Sequence, residues 1–305
     1  PMNTIARIAA ASLLIFAAPH ARSDEDPTTS PVTIPGASRF DVASKAGQPY
    51  RIFVYVPDAP APAAGYPVMY ALDGNSSFGM LVEFERIQRR MNGPVAIVGV
   101  GYPIEGHMDL DRRFLDFTPP TPENLVRRFP GAKHTPKTGG DDAFLDFLVD
   151  ELRPIVGRKV KVDPNRQAIC GHSLGGLFVL HALFKRPGAF QSYVAASPSI
   201  WWNDRSVEAE ARAFAADPTK VAPARLLMTF GGLEGESVPG DSAEKNEARQ
   251  QTRMPESVRK MEADLAPLAS RGLAVQVAEF PGENHGGVIP AALNPGLARA
   301  FAPAR

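Results

Sequence analysis

Gly171-His172-Ser173-Leu174-Gly175 joins an apolar strand-like run, Gln167 to Gly171, to an apolar helix-like run, Leu174 to Phe184. A Gly-x-Ser-x-Gly sequence at such a junction makes a sharp turn. The serine backbone is strained there and its hydroxyl projects above the sheet. Glycines on either side are expected to let strand and helix approach without Cβ clashes. A serine hydroxyl is a weak nucleophile at its ordinary pKa, so it needs a base within reach and a third group to orient that base. On a strand-turn-helix scaffold of this kind the partners follow in chain order, Ser, then Asp or Glu, then His. His285, in Phe280-Pro-Gly-Glu-Asn-His-Gly-Gly287, lies between the last strand-like and the last helix-like runs and is the candidate general base. His172 is adjacent to the serine and diverges from it; His181 lies inside the following helix; His20, His107 and His134 lie near the N-terminus or in irregular stretches. Glu234 follows the strand-like run Leu226 to Phe230 and is the candidate acid, with Glu236, Asp241 and Glu283 as rivals. A developing oxyanion needs backbone donors, assigned to the N–H groups of Leu174, at the start of the helix after the serine, and of Asn75, in the turn after Val68-Met-Tyr-Ala-Leu72.

These side chains require a scaffold of alternating strands and helices, and the pattern supplies one. Strands are expected at 39–43, 50–56, 68–72, 95–100, 167–171, 193–196, 226–230 and 274–280. Helices are expected at 78–91, from 141 onward, and at 174–184, 206–216, 256–270 and 288–301. Val95-Ala-Ile-Val-Gly-Val100 is apolar without alternation, as a strand covered on both faces requires. The alternation implies right-handed crossovers and one α/β domain, 36–305, with a mostly parallel central sheet and helices on both faces. Residues 102–140, rich in Pro, Gly and Arg, read as a long irregular region.

Composition narrows the function class. The 305 residues are 44% hydrophobic and carry 33 basic and 33 acidic side chains, so the net charge is zero and no basic stripe suggests a nucleic-acid partner. Arg7 precedes an apolar run, Ile8 to Ala18, too short to span a bilayer but suited to the core of an export signal. Residues 1–23 read as a secretory signal peptide, 24–35 as a polar, proline-rich linker. The mature chain is expected in the periplasm or outside the cell, free of the membrane; a buried N-terminal helix is the alternative. Cys170, the single cysteine, lies in an apolar strand and reads as a buried structural thiol.

Seven motifs, two of them containing the serine and histidine segments above, occur in order: Leu-Asp-Gly-Asn (72–75), Gly-Tyr-Pro (101–103), Arg-x-x-Asp-Phe-Thr-Pro-Pro (113–120), GGDDAFLDFL (139–148), GHSLGGLFVLHALF (171–184), ASPSIWW (196–202) and GENHG (282–286). Together they resemble the esterase family that includes the enterochelin (ferric-enterobactin) esterases, particularly the smaller periplasmic trilactone-hydrolase branch. The resemblance runs from about Ala37 to Phe301. It implies an α/β-hydrolase fold without a large lid domain, and hydrolysis of carboxylic esters through an acyl-enzyme with no metal or cofactor. Ser173 and His285 match the family's catalytic positions, Glu234 less securely. It also suggests Arg113 as a substrate-binding residue for an anionic catecholate, by charge and planar donor fork; the alternative is an ion pair with Asp116. Trp201 and Trp202 line an aromatic acyl pocket or pack in the core. A small-molecule ester, in particular a siderophore trilactone, is the expected substrate. A general carboxylesterase, an acyltransferase of the same fold and a non-catalytic binding protein are the competing readings.

Overall fold

Continuous apolar runs fill the middle of one sheet. In the computed structural model, which describes residues 29–126 and 134–302, every residue of β3 (Tyr66–Leu72) and β4 (Ala96–Gly101) is buried. The chain divides into two units, Pro1–Ile34 and Pro35–Arg305. The segment read as a signal peptide, 1–23, lies outside the described residues, and residues 29–34 carry no helix or strand. The remainder concerns the second unit.

Two strands precede that pair, β1 (Ala37–Ala43) and β2 (Pro49–Tyr55); four follow it, β5 (Val162–His172), β6 (Ser192–Ala196), β7 (Ala224–Gly231) and β8 (Leu273–Phe280). They form a sheet in the order β1-β2-β4-β3-β5-β6-β7-β8. β2 pairs antiparallel with β1 and with β4, and from β4 onward all neighbours are parallel. This is the mostly parallel sheet that the alternation of runs implied.

The order reverses between β3 and β5. The chain leaves β3 through α1 (Gly74–Asn92) toward β4. It leaves β5 in the other direction, through a helix numbered α5 below, toward β6. Right-handed crossovers therefore place these two helices on opposite faces, and a crevice opens at the carboxyl ends of the strands where they part. Between β4 and β5 the chain forms α2 (Leu110–Phe117), α3 (Asp141–Asp146), a π turn (Phe147–Leu152) and α4 (Arg153–Lys159). Then come α5 (Leu174–Lys185), α6 (Trp202–Ala216), α7 (Ala243–Gln250), α8 (Met254–Leu265) and α9 (Val288–Phe301). Every residue from Leu174 to Phe184 is buried, as expected of a helix apolar all round and enclosed between a sheet and an outer layer. Phe178 on α5 meets Phe117 of α2 and Phe144 of α3 at ring-centroid distances of 5.9 and 5.0 Å.

Three expectations need correction. The irregular region 102–140 contains α2, whose Asp109 side chain caps the helix by accepting from the Arg112 N–H. The loop after β7 contains α7, none of whose residues is buried. The long helix expected from Asp141 is interrupted by the π turn just before Pro154. A proline lacks the N–H for the regular ladder, and a π turn lets the helix continue past it.

Candidate active site

Ser173 follows the last residue of β5 directly and has φ 60° and ψ −117°, a backbone conformation disfavoured for any residue with a Cβ. It is held there by its own backbone: its N–H donates to the Ala196 carbonyl at 2.9 Å, and its carbonyl accepts from Leu177 and Ser199. Gly171 must be glycine, because a Cβ at that position would lie 2.5 Å from the Gly175 carbonyl oxygen. Gly175 has ordinary room for a Cβ, so the strand-helix approach depends on the first glycine of the motif and not on the second.

His285 reaches this serine from the loop between β8 and α9. Its Nε2 lies 2.9 Å from Ser173 Oγ and its Nδ1 lies 2.9 Å from Glu234 Oε2. The loop is fastened to the end of β7 by the Leu233 N–H to the Glu283 carbonyl and the Gly232 N–H to the Phe280 carbonyl. Glu234 is buried, and its other oxygen, Oε1, accepts from the Gly231 N–H at 2.8 Å and from the Ser197 hydroxyl. The structure thus joins Ser173, His285 and Glu234 in one hydrogen-bonded chain across the ends of β5, β7 and β8. Asp241, a rival for the acid position, is instead bound to Arg249 at 2.5 Å and lies 3.7 Å from Lys245.

A family model described as "Putative esterase" matches residues 43–297. The chain belongs to this esterase family. It is 36% identical over 283 residues to the ferri-bacillibactin esterase BesA of Bacillus subtilis (strain 168), covering 90% of this chain and 93% of that protein. It is 37% identical over 292 residues to the siderophore enterobactin esterase of Emericella nidulans, covering 86% and 94%. Among solved structures, the BES protein from Bacillus cereus superposes with a TM-score of 0.77 at 31% identity, over 91% of this chain and 100% of that one. The fold is of the α/β-hydrolase type, and the chain is a serine ester hydrolase.

The cavity of this esterase has a volume of about 430 Å³ and opens beside Ser173 and His285. Phe114, Leu174, Trp201, Trp202, Val238 and Met254 give it a mainly apolar wall. Trp202 serves both roles considered for it. It is 1% exposed and donates from Nε1 to Thr121 Oγ1 at 3.0 Å, while its ring also bounds the cavity. Leu174 lines the cavity and Asn75 does not. The Asn75 side chain binds the backbone of Tyr102 in both directions, donating from Nδ2 at 3.0 Å and accepting at Oδ1 at 2.8 Å. Its own N–H belongs to the first turn of α1, where helix geometry provides no internal acceptor.

Arg113, the residue suggested for substrate binding, does not line this cavity. It is 4% exposed, and its guanidinium is spent on Asp73: Nε donates to Oδ1 at 2.6 Å and Nη2 to Oδ2 at 3.0 Å, with the His172 carbonyl 3.3 Å away. Nor does it pair with Asp116, which is bound by Arg112 at 3.0 Å. The physical reason is the α2 helix, which sequence did not reveal: it turns position 113 inward to the start of α1.

His172 is packed against the base, the two imidazole rings 4.5 Å apart. Burial, then the neighbouring His285 and Arg113, hold its pKa well below the ordinary histidine range, against a hydrogen bond with the His285 backbone that pulls the other way. His172 is therefore neutral at pH 7 and adds no like charge when His285 takes up a proton. Ser199 was not singled out by sequence: it is fully buried, lines the cavity and places its hydroxyl 3.3 Å from that of Ser173. Its signal was visible in ASPSIWW, a pair of serines directly after a strand.

Proposed function

We propose that this esterase cleaves siderophore esters, cyclic catecholate triesters in particular, with Ser173 as nucleophile, His285 as general base and acid, and Glu234 as the orienting carboxylate. The observation that carries the catalytic part is the unbroken contact from Ser173 Oγ through both nitrogens of His285 to Glu234, 2.9 Å at each step. The substrate class is supported by the two relatives named above, which act on ferri-bacillibactin and enterobactin and match this chain nearly end to end.

In this mechanism His285 Nε2 takes the Ser173 proton as Oγ attacks the ester carbonyl. The Leu174 N–H, at the positive end of α5, and the Asn75 N–H at the end of the strand beside β5 hold the oxyanion. The imidazolium returns its proton to the departing alkoxide, leaving an acyl-serine. Water, deprotonated by the same nitrogen, then attacks the acyl carbonyl and releases acid and free serine. Glu234 keeps Nδ1 protonated throughout and offsets the positive charge. We further propose that residues 1–23 direct export to the periplasm or beyond and are removed there; N-terminal sequencing of the exported protein tests this.

Turnover of a catecholate trilactone, followed by chromatography of the linear products, is the test of the substrate. The trilactone is expected to exceed p-nitrophenyl butyrate in kcat/KM, and good turnover of the simple ester with none of the trilactone would refute the assignment. Ser173→Ala or His285→Ala is expected to lower kcat on the order of a millionfold, and Glu234→Ala on the order of ten-thousandfold.

A further inference from the structure

The turn after β6 touches two of the three residues assigned to catalysis. Ser197, Pro198 and Ser199 follow Ala196, and both serines are fully buried. Ser197 has φ 41°, the left-handed region that favours glycine, so its side chain is retained there at a conformational cost. Its backbone is fixed by an N–H bond to the Thr229 carbonyl of β7 at 2.9 Å, while the Ser199 N–H reaches the Ser173 carbonyl at 3.1 Å. Pro198 presses on α5 so closely that a Cβ on Gly176 would lie 2.9 Å from the Pro198 Cα. The turn is thus wedged between the nucleophile's helix and the strand that carries the acid.

The side chains use that position. A carboxylate held only by a histidine can rotate about its last torsion, and either oxygen can then face the imidazole. Here the Ser197 hydroxyl and the Gly231 N–H both donate to Oε1 of Glu234, which leaves Oε2 as the oxygen aimed at His285 Nδ1. Both donors are buried, so no competing water contact is needed to satisfy that oxygen. On the other arm of the turn, Ser199 Oγ lies 3.3 Å from Ser173 Oγ.

We propose that Ser197 is a positioning residue for the reaction: its hydroxyl locks the rotation of Glu234, and through Glu234 the orientation of His285. This inference rests on the triad assignment made above, and it concerns a residue that touches neither substrate nor reacting atoms. The strained backbone of the turn is retained because it delivers this hydroxyl to Oε1, 37 residues away in the chain.

A double-mutant cycle tests it with p-nitrophenyl butyrate, using wild type, Ser197→Ala, Glu234→Ala and the double variant. Ser197→Ala is expected to lower kcat about ten- to a hundredfold, the range for losing a hydrogen bond to a charged group, with KM within about twofold. In the Glu234→Ala background the same substitution is expected to change kcat by less than about twofold, because nothing remains to be positioned. Ser197→Gly accepts the left-handed backbone freely and carries the same cycle if the alanine variant does not fold. Wild-type kcat in Ser197→Ala, or an equal loss in both backgrounds, overturns the proposal while leaving the triad intact. Wild-type kcat in Glu234→Ala removes the acid assignment and this inference together.

Discussion

Arg113 and Asp73 form a buried, two-pronged ion pair at the point where α1 begins and β5 ends. Removing one partner of such a pair strands the other charge in a dry environment, which costs about 3–5 kcal/mol. Arg113→Ala is therefore expected to lower the unfolding free energy from urea titration by that amount, and Arg113→Lys, which keeps the charge but loses the fork, to fall between. A variant of unchanged stability whose only defect is a raised KM would instead assign Arg113 to substrate binding. The same residue shows what sequence carried at this scale. The assignments proposed for Ser173 and His285 rest on a motif and a chain order, both of which a linear sequence displays. The direction in which Arg113 points depends on a helix whose only buried apolar side chains are Phe114 and Phe117, too few to set a period. Glu234 was one of four nearby carboxylates in the sequence; in the structure it is buried and lies 2.9 Å from His285 Nδ1. Ser197 was visible only as a serine of the ASPSIWW motif; its role was not, since its partner is distant in the chain.

Three helices meet at His181, two turns along α5 from the nucleophile. Its Nδ1 lies 2.9 Å from Glu210 on α6 and 3.7 Å from Asp141 on α3, and its Nε2 lies 3.3 Å from Asp142. Lys185, 3.5 Å from Asp142, is the cation at the edge of the group. Burial by itself would lower the His181 pKa, but the hydrogen bond and charge of Glu210, with Asp141 and Asp142, override it and raise the value above 6.5. A raised value means that the folded state holds the proton more tightly. The stabilisation is complete below the unfolded value and disappears as pH rises through the folded one. Asp141, whose pKa is raised by burial, contributes with the same sign. The Tm difference between wild type and His181→Gln is thus expected to be on the order of a few degrees near pH 5–6 and to shrink toward alkaline pH. A difference independent of pH would show that His181 acts only by packing. Elements of this kind divide by legibility. Strands with continuous apolar runs were readable, whereas α7, with no buried residue, had no apolar period to show.

At the scale of the molecule, the site is assembled by topology. The strand order reverses between β3 and β5, and the crevice there receives Ser173 from β5, the Ser197 turn from β6, Glu234 from β7 and His285 from the loop after β8. No two of the three triad residues lie within fifty residues of each other in the chain, yet parallel strands bring all their carboxyl ends to one edge. Alternation of runs indicated such a sheet, but it did not indicate the order of strands, because any right-handed arrangement satisfies the same alternation. The cavity, about 430 Å³ and mainly apolar, lies within the usual range for small-molecule sites and has the serine hydroxyl at its wall. The central claim is that this hydroxyl is the nucleophile. Mass spectrometry of the esterase after treatment with diisopropyl fluorophosphate tests it most directly. A single adduct is expected on the peptide containing Ser173, absent from Ser173→Ala and formed far more slowly in His285→Ala. An adduct on another serine, in a Ser173→Ala variant that still hydrolyses esters, would contradict the account.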